Sequence, residues 1–493
     1  MAAPASLVFF GDSLTDNGNL FHLAGIPQPP YVNGIFSNGP TYAAPRNLPA
    51  LLHLSSANFA YAGAQAHGTQ VVAGTDINLG AQVARYMQQP HAAHTVVAFN
   101  IGSNDYLNYD PAADGDPAAF VQNVLQNIEI QALDLAAAGG VDEIVLFNLP
   151  NPALAPAKAG LTPAQIAGAT AIIAGHNGGL ESLAAVNNAL GIHTVIVDIA
   201  RLQAEFTNDS DTFGLKTTSI PFVQPIGGHE VPTHIDQLLR PDQIAYFDEI
   251  HPSAATHGIA SAFAAATIQS AQTLLFNAGA QVVNGAAGSD FVFTGAGNDV
   301  VYTYAGNDTI FAGRGSDIAV GGDGNDLIAG GSGNDKLFGQ NGSDLLAGNL
   351  GNDKLFGGAG NDVLIDGQGN DFAYGGNGND LMIFKEDVLA ATPNDFFNGG
   401  AGVDTVRVIV ADLAYASLLV QGDLAAFGAS IASTHGGVLA SLGLTATNVE
   451  RLEVYVQNHD GSLTVIGSYG HAAVPESAAV KGLLHSADLW GLL

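Results

Sequence analysis

An aspartate that recurs every nine residues is the feature that most constrains the fold of this chain. From Asp290 to Asp380 the period runs without a slip, within the pattern G-G-x-G-x-D-x-U-x, where U is mostly apolar. A disordered linker rich in Gly and Asp has no reason to keep such a period. The pattern therefore predicts a stack of short repeats. The repeated aspartates are Asp290, Asp299, Asp308, Asp317, Asp326, Asp335, Asp344, Asp353, Asp362, Asp371 and Asp380.

The spacing of these aspartates has an electrostatic consequence. If each repeat is a turn plus a short strand, two repeats form one coil, and aspartates at i and i+18 stack about 4.8 Å apart. Stacked carboxylates would repel each other by about 3 kcal/mol at an effective dielectric constant near 20. A divalent cation between them reverses the sign of this energy. Calcium, which takes roughly six to eight oxygen ligands, suits such a site better than magnesium.

The repeats therefore predict a parallel β-roll that folds only with calcium, with a ceiling of about nine ions. Glycine permits left-handed turns, whose carbonyl groups would join the aspartates as ligands. Calcium is expected as several structural ions, and no cofactor is expected for catalysis. The glycines assigned as ligands are Gly322, Gly324, Gly331, Gly333, Gly358, Gly360, Gly376 and Gly378.

The part of the chain before the repeats alternates two kinds of segment. A helical pattern from Phe120 to Leu135 ends at Gly139-Gly140, and a last helix is expected from Ser253 to Phe276. Strand, helix and strand in this order predict a parallel sheet with helices on both faces. The predicted strands are Ser6 to Phe10, Thr95 to Ile101, Glu143 to Leu149 and Thr194 to Ile199.

Reactive groups in parallel sheets gather where the strands end at their carboxyl edge. Ser13 follows the first strand in FFGDSLTDNGN, and Ser103-Asn104-Asp105 follows the second. Taken alone, Ser13 is better explained as a turn or helix-cap residue than as a nucleophile. Its assignment as a nucleophile depends on partners elsewhere in the chain.

Ester hydrolysis needs a nucleophile, a base, a group that orients the base, and donors for the oxyanion. Asp248 and His251 lie three residues apart in FDEIHPS, so the carboxylate can hold Nδ1 and leave Nε2 to accept the proton of Ser13. The chosen oxyanion donors are the N–H groups of Ser13 and Gly63 and the side-chain amide of Asn104.

Composition excludes several functions. The net charge of -32 argues against nucleic-acid binding, which needs clustered Lys and Arg. Without cysteine there are neither disulfides nor thiolate metal sites. Neither a transmembrane segment nor an N-terminal signal peptide ahead of Ser13 is expected, so export would need another route.

Five blocks resemble, in order, those of the GDSL subfamily of SGNH hydrolases. The resemblance implies a flavodoxin-like α/β fold with a parallel five-stranded sheet between helices. It implies catalytic roles for Ser13, Asp248 and His251, and an oxyanion hole made by Ser13, Gly63 and Asn104. The blocks are FGDSLTDNGN, FSNGP (36–40), NFAYAGA (58–64), IGSNDY (101–106) and FDEIHPS (247–253).

The nonapeptides resemble those of RTX proteins, which bacterial type I secretion exports by means of an uncleaved C-terminal signal. This resemblance implies an extracellular location and the type I secretion machinery as a partner. Beyond Phe384 the repeat fades, with one echo at Gly399–Val408, and alternation in 450–456 and 462–466 predicts a β-rich cap. We expect a hydrolase domain (1–277), a β-roll (278–388) and a C-terminal cap with the secretion signal (389–493).

The sequence thus predicts a secreted, calcium-binding serine lipase or esterase that acts on an ester or lipid substrate through an acyl-enzyme. Two alternatives keep the same fold and act as a polysaccharide deacetylase or a phospholipase. A third is a calcium-dependent surface or adhesive protein with a vestigial hydrolase domain.

Overall fold

The chain forms two compact units, which we describe separately. The first holds most of the chain up to Ile268, and the second begins at Gln269. The computed structural model describes residues 6–11, 48, 52, 54–61, 64–67, 70–90, 92–107, 109, 111–155, 162–208, 223–226, 229–232, 254–270, 272–276, 278–385, 394–411, 418–457, 463–470, 481 and 484.

A five-stranded parallel sheet forms the centre of the first unit. The described strands of this unit are β1 (Ser6–Gly11), β2 (Ser55–Asn58), β3 (Val71–Val72), β4 (Thr75–Asp76), β5 (Thr95–Asn100), β6 (Val141–Phe147), β7 (Thr194–Val197), β8 (Val223–Ile226) and β9 (His229–Pro232). The order β2-β1-β5-β6-β7 is the flavodoxin-like order. It confirms the predicted parallel α/β sheet, and β3-β4 and β8-β9 are separate antiparallel pairs.

Helices connect these strands. They are α1 (Leu79–Met87), α2 (Ser103–Leu107), α3 (Pro111–Asp114), α4 (Pro117–Ala138), α5 (Pro163–Ala189), α6 (Ile199–Asn208) and α7 (Ala254–Gln269), with a 3₁₀ turn at Pro152–Leu154. Among the described helices, none combines the length and apolarity needed to cross a bilayer.

Helix α4 shows how the sequence defines an element of this unit. Asp116 caps its start by accepting a hydrogen bond from Ala119 N (3.0 Å), and Pro117 occupies the first turn. The helix ends at Gly139, whose φ of +82° suits glycine. Its predicted apolar face is buried in the core against the sheet, and each large apolar side chain contributes about 1.5–3 kcal/mol. That face consists of Phe120, Val124, Ile128, Ala132 and Leu135.

The prediction of one helix from Ser253 to Phe276 was wrong at its C-terminal end. Helix α7 stops at Gln269, and Gln272–Leu275 is a strand, β10. An apolar run as short as Thr273–Phe276 fits either a helix or a strand by periodicity alone. Parallel pairing with a strand eighteen residues later, and the bond from Phe276 N to Phe293 O (2.8 Å), decide the outcome.

The second unit consists of short strands that alternate between two sheets. The strands after β10 are β11 (Val282–Asn284), β12 (Asp290–Phe293), β13 (Val300–Ala305), β14 (Thr309–Arg314), β15 (Ile318–Asp323), β16 (Leu327–Ser332), β17 (Lys336–Asn341), β18 (Leu345–Leu350), β19 (Lys354–Ala359), β20 (Val363–Ile365), β21 (Phe372–Asn377), β22 (Leu381–Lys385), β23 (Asp395–Ala401), β24 (Thr405–Ala411), β25 (Gly436–Leu439), β26 (Leu444–Thr447), β27 (Arg451–Gln457) and β28 (Leu463–Gly470).

The register of these strands confirms the predicted β-roll. Even-numbered strands β10 to β24 lie in one sheet and odd-numbered strands β11 to β23 in the other. Each strand pairs in parallel with the strand two further along, so Ile310 lies beside Ile328 and Leu337 beside Leu355. Two nonapeptides therefore make one coil of 18 residues.

The apolar eighth position of the nonapeptide forms the interior between the two sheets. The side chains at this position are buried in a single cluster. This burial stabilises the roll through the removal of apolar surface from water. The cluster includes Val292, Val301, Ile310, Ile328, Leu337, Leu346, Leu355 and Leu364.

A β-rich cap covers the end of the roll, as predicted. Strands β26 and β27 extend the two sheets in parallel, and β25 and β28 then pair antiparallel with them. The sequence did not predict helix α8 (Leu418–Thr434), whose Phe427 and Ile431 join the interior cluster. The cap thus covers strand edges that would otherwise be open to pairing with other chains.

We expect Leu355→Ala to lower the free energy of unfolding of the calcium-loaded roll by about 2–5 kcal/mol, because it leaves a cavity in the interior. Denaturant titration followed by circular dichroism measures the loss. Lys354→Ala, an exposed change on the same strand, is the control and should shift stability by no more than about 0.5 kcal/mol. Equal losses in the two variants would contradict the burial of Leu355 in the interior between the two sheets.

Candidate active site and calcium sites

Strands β1 and β5 end side by side, and each is followed in the sequence by a predicted site segment. They pair in parallel, and Gly11 lies beside Asn100 where both strands end. Ser13 follows Gly11 by two residues, and Gly102 follows Asn100 by two. Of the predicted catalytic residues, Asn104 lies within the described residues. Ser13, Gly63, Asp248 and His251 lie outside them.

Asn104 sits in the first turn of α2 and is tied to the segment that follows Gly63. Its Nδ2 donates a hydrogen bond to Ala64 O (3.1 Å), and Gln65 Nε2 donates to Asn104 O (3.4 Å). The first bond fixes the plane of the amide. Two segments predicted to supply oxyanion donors are therefore joined directly.

Asp105 anchors the same segment, a role that the sequence analysis did not assign. Its fully buried carboxylate accepts hydrogen bonds from Ala66 N (2.8 Å) and His67 N (3.3 Å) and also contacts His67 Nδ1. The side-chain hydrogen bond with Asp105 raises the pKa of His67. A buried carboxylate with several donors holds its neighbours rigidly, because the movement of any donor would leave the buried charge without one of its hydrogen bonds.

Gln82, on the buried side of α1, holds the end of β1. Its Oε1 accepts from Gly11 N (2.9 Å), while Nε2 donates to Gly11 O (2.9 Å) and Ile77 O (2.8 Å). The side chain is fully buried and satisfies both backbone groups of the residue two positions before Ser13. The signal in the sequence was a glutamine on the apolar face of an amphipathic helix.

Gly102 approaches His176 so closely that a side chain at this position would press against the imidazole ring. Its φ is +123°, and a Cβ there would lie 3.1 Å from His176 Cε1. His176 is fully buried, and its Nδ1 lies 2.7 Å from Tyr106 Oη. Burial lowers the pKa of His176 to about 3, so the imidazole is neutral and supports the turn before Asn104.

The aspartates of the repeats form two columns that run along the roll. In each column the N–H of one aspartate donates to Oδ1 of the next, over 2.7 to 2.9 Å. The stacking of i and i+18 is therefore confirmed. The first column is Asp290, Asp308, Asp326, Asp344, Asp362, Asp380 and Asp404, and the second is Asp299, Asp317, Asp335, Asp353, Asp371 and Asp395.

Both columns continue beyond the point where the repeat fades in the sequence. Asp371 N donates to Asp395 Oδ1 (2.7 Å) and Asp380 N to Asp404 Oδ1 (2.8 Å), each across 24 residues. Six residues (24 minus 18) are therefore inserted without breaking either column. Asp395 was not predicted, and Asp404 was recognised only as part of an echo.

The second carboxylate oxygens of these aspartates fit a cation. In ten of them this oxygen is buried and has no hydrogen-bond partner within the described part of the chain, which is costly for a charged group. Ligands of this hard, anionic kind are those that calcium takes. The atoms concerned include Oδ2 of Asp299, Asp308, Asp317, Asp326, Asp344, Asp353, Asp362, Asp380, Asp395 and Asp404.

The first glycine of a repeat opens a cradle, by which we mean the space between an aspartate Oδ2 and a carbonyl of the next coil. A Cβ at Gly357 would collide with Asp362 Oδ2 and lie 2.6 Å from Gly375 O. These first glycines were not among the predicted ligands. The glycines that it named have φ between +101° and +144°, and their role as ligands stays a prediction. They are Gly322, Gly324, Gly331, Gly333, Gly358, Gly360, Gly376 and Gly378.

Threonine closes the cradle in the early coils. Thr294 Oγ1 donates to Ala312 O (2.6 Å), and Thr303 Oγ1 donates to Gly321 O (3.0 Å). Each threonine stands where later repeats have their first glycine. Its hydroxyl group donates a hydrogen bond to the carbonyl oxygen that would otherwise be free to bind a cation. We therefore expect no ion at these two positions.

Without a cation, the columns hold protons instead. Burial, with repulsion from neighbouring aspartates, raises the pKa of Asp326 and Asp362 to about 8 and that of Asp353 to about 9. A carboxylic acid in this position is neutral at a pH where an exposed one is charged. Proton and calcium therefore compete for the same oxygens.

We expect the metal-free roll to lose stability as pH rises from about 4 to about 9. The folded aspartates bind protons more tightly than the unfolded ones, so stability falls with pH across this window. Denaturant titration of calcium-free protein at several pH values measures how the free energy of unfolding depends on pH. Asp326→Asn should weaken this dependence. With saturating calcium the decline should vanish. Metal-free stability that increases with pH would contradict the buried columns.

Comparison with known proteins places both units. Residues 7–263, more than half of the chain, match the family model of the GDSL-like lipase/acylhydrolases. Four segments match the RTX calcium-binding nonapeptide repeat, namely 284–319, 320–355, 347–382 and 394–407.

Two curated relatives and one solved structure illustrate the similarity. A phosphatidylcholine-sterol acyltransferase of Aeromonas hydrophila is 30% identical over 223 residues, 43% of this chain and 63% of the relative. A thermolabile hemolysin of Vibrio parahaemolyticus is 25% identical over 271 residues, 51% of this chain and 60% of the relative. The match with a phospholipase A1 structure from Streptomyces albidoflavus covers 52% of this chain and 95% of that one, at 18% identity and a TM-score of 0.31.

This chain thus spans about three fifths of the length of these two curated relatives. The family match covers all strands of the five-stranded sheet, and the repeat matches cover the aspartate columns. The chain therefore belongs to the GDSL-like lipase/acylhydrolase family and carries RTX calcium-binding repeats behind its hydrolase unit.

Proposed function

We propose that this chain is a secreted, calcium-binding ester hydrolase that cleaves carboxylic esters through an acyl-enzyme on Ser13. The observation that carries the proposal is the shared carboxyl edge of β1 and β5. There, Gln82 holds Gly11 just before Ser13, and Ala64 O holds the Asn104 amide. A serine hydrolase needs this rigidity, because small displacements of the reacting groups are costly.

In the proposed reaction Ser13 Oγ attacks the ester carbonyl carbon and passes its proton to Nε2 of His251, while Asp248 holds Nδ1–H. The developing oxyanion accepts hydrogen bonds from the N–H groups of Ser13 and Gly63 and from Asn104 Nδ2. The C–O bond to the alcohol then breaks as His251 returns the proton to the leaving oxygen. Water repeats these steps on the acyl-enzyme and releases the acid.

A second candidate is acyl cleavage or acyl transfer from a phospholipid. The observation that favours it is the 30% identity over 223 residues to a protein named for acyl transfer from phosphatidylcholine to a sterol. Hydrolysis and transfer share the acyl-enzyme and differ only in whether water or an alcohol accepts the acyl group. A substrate test must therefore offer both water and an alcohol as acyl acceptors.

The calcium chemistry of the roll supports the proposed secretion. Extracellular calcium modules bind with dissociation constants of about 0.1–1 mM, so the columns would stay unfolded in a calcium-poor cytosol and fold outside the cell. An unfolded, highly acidic chain is a suitable substrate for the type I secretion machinery, which we propose as its export partner.

We expect Ser13→Ala to lower ester hydrolysis by at least about a thousandfold, because the nucleophile is removed. A chromogenic series from acetyl to palmitoyl esters measures activity, and phosphatidylcholine with or without a sterol acceptor separates hydrolysis from acyl transfer. Ser182→Ala, an exposed change on α5, is the control and should keep wild-type rates. Undiminished activity in Ser13→Ala would reject the serine mechanism.

Gln82→Ala should lower kcat by about tenfold to a hundredfold with little change in KM, because Gly11 loses the side chain that fixes it before Ser13. Steady-state kinetics on the best ester of the series measures both constants. The exposed Gln88, on the turn after the same helix, offers Gln88→Ala as a matched control. A Gln82→Ala enzyme with normal melting and normal kcat would show that Gln82 has no positioning role.

A further inference from the structure

The first column ends on a residue of the cap instead of a repeat. Asp404 N donates to Glu450 Oε2 at 2.8 Å. In every earlier coil the same N–H donates to Oδ1 of the next aspartate, as Asp380 N does to Asp404 Oδ1 at 2.8 Å. Glu450 therefore occupies the position that the following aspartate takes elsewhere in this column.

A backbone carbonyl of the cap replaces the carbonyl of the next coil in the same way. A Cβ at Gly375 would lie 2.5 Å from Gly399 O, and a Cβ at Gly399 would collide with Asn448 O. Asn448 has a φ of +51°, a conformation that asparagine tolerates better than most residues. Its Nδ2 donates to Asn398 Oδ1 (2.9 Å), which fixes the turn.

The carboxylate of Asp404 faces this position. Its side chain is fully buried, and its Oδ2 has no hydrogen-bond partner among the described residues. That oxygen lies 2.5 Å from the Cβ position of Gly399, in the geometry seen at the other cradles. A buried, unpaired carboxylate oxygen is costly unless a cation neutralises it.

We propose that Asp404, Asn448 O and Glu450 form a further calcium site, which joins the last coil to the cap. The matched repeats end at residue 407, so two of these three ligands lie outside any repeat. Carboxylate and carbonyl oxygens on an irregular turn suit calcium better than magnesium, which demands near-octahedral geometry. The site is separate from the ester chemistry.

The second column ends differently within the described residues. Asp395 N donates to a backbone oxygen, Gly443 O at 3.1 Å, instead of a carboxylate. Glu450, in contrast, directly precedes β27, which starts at Arg451. Calcium at Glu450 would therefore fix the residue directly before β27 and would add to the stability of the cap.

Calcium stoichiometry of the full-length protein tests the site. Glu450→Gln keeps an oxygen for Asp404 N but removes the charge, so we expect one bound ion fewer per chain in equilibrium dialysis. Glu453→Gln is the matched control on β27, because Glu453 pairs with Arg407 and Arg451 outside the column. The control should bind the wild-type number of ions. A full count in Glu450→Gln, or the same loss in both variants, overturns the proposal.

Hydrogen exchange of residues 451–457 distinguishes a lost ligand from a cap that cannot fold. At saturating calcium we expect this strand to stay protected in Glu450→Gln, with one ion fewer, and to lose protection at a higher free calcium concentration than in the wild type. Gly399→Ala, whose Cβ would fill the cradle from the repeat side, should also lose one ion. A strand that remains unprotected in Glu450→Gln at saturating calcium contradicts the proposal.

Discussion

Repulsion between buried carboxylates is the constraint on which the second unit depends. Thirteen aspartates are buried in two columns, and each stacked neighbour costs about 3 kcal/mol if both are charged. Apolar side chains such as Leu337 and Leu355 favour the coil by about 1.5–3 kcal/mol each, which does not exceed the repulsion. The buried apolar cluster between the two sheets therefore determines the shape of the roll, whereas binding of a cation or a proton determines whether the roll folds.

In the hydrolase unit, buried polar side chains hold segments at the edge of the five-stranded sheet in place. Gln82, Asp105 and His176 are all buried beneath the edge of the sheet, and each bonds to backbone or side-chain atoms next to a predicted catalytic segment. Such a network is stabilising only when its members are satisfied, so it defines one arrangement of the edge. The described end of β1 and start of α2 are thus held in one arrangement by buried hydrogen bonds.

The sequence predicted those parts of both units that rest on periodicity or on a motif. The nine-residue period predicted the coil and its columns, and the strand–helix alternation predicted the parallel sheet, whose five strands were implied by the family resemblance. Contacts between distant residues were not predictable in this way. Gln82 meets Gly11 across 71 residues, and Glu450 meets Asp404 across 46. Residues 272–275 became a strand because of their partner rather than their composition.

The six residues inserted between neighbouring coils show that the roll tolerates a change of length. A longer connection costs little, since each doubling of a flexible loop adds only about 0.6 kcal/mol of closure entropy. The acids on either side keep their spacing because their backbone bonds, and not the number of intervening residues, hold the register. Peptide epitopes or binding loops grafted at this coil would therefore leave the aspartate columns intact, which makes this position suitable for insertions in protein engineering.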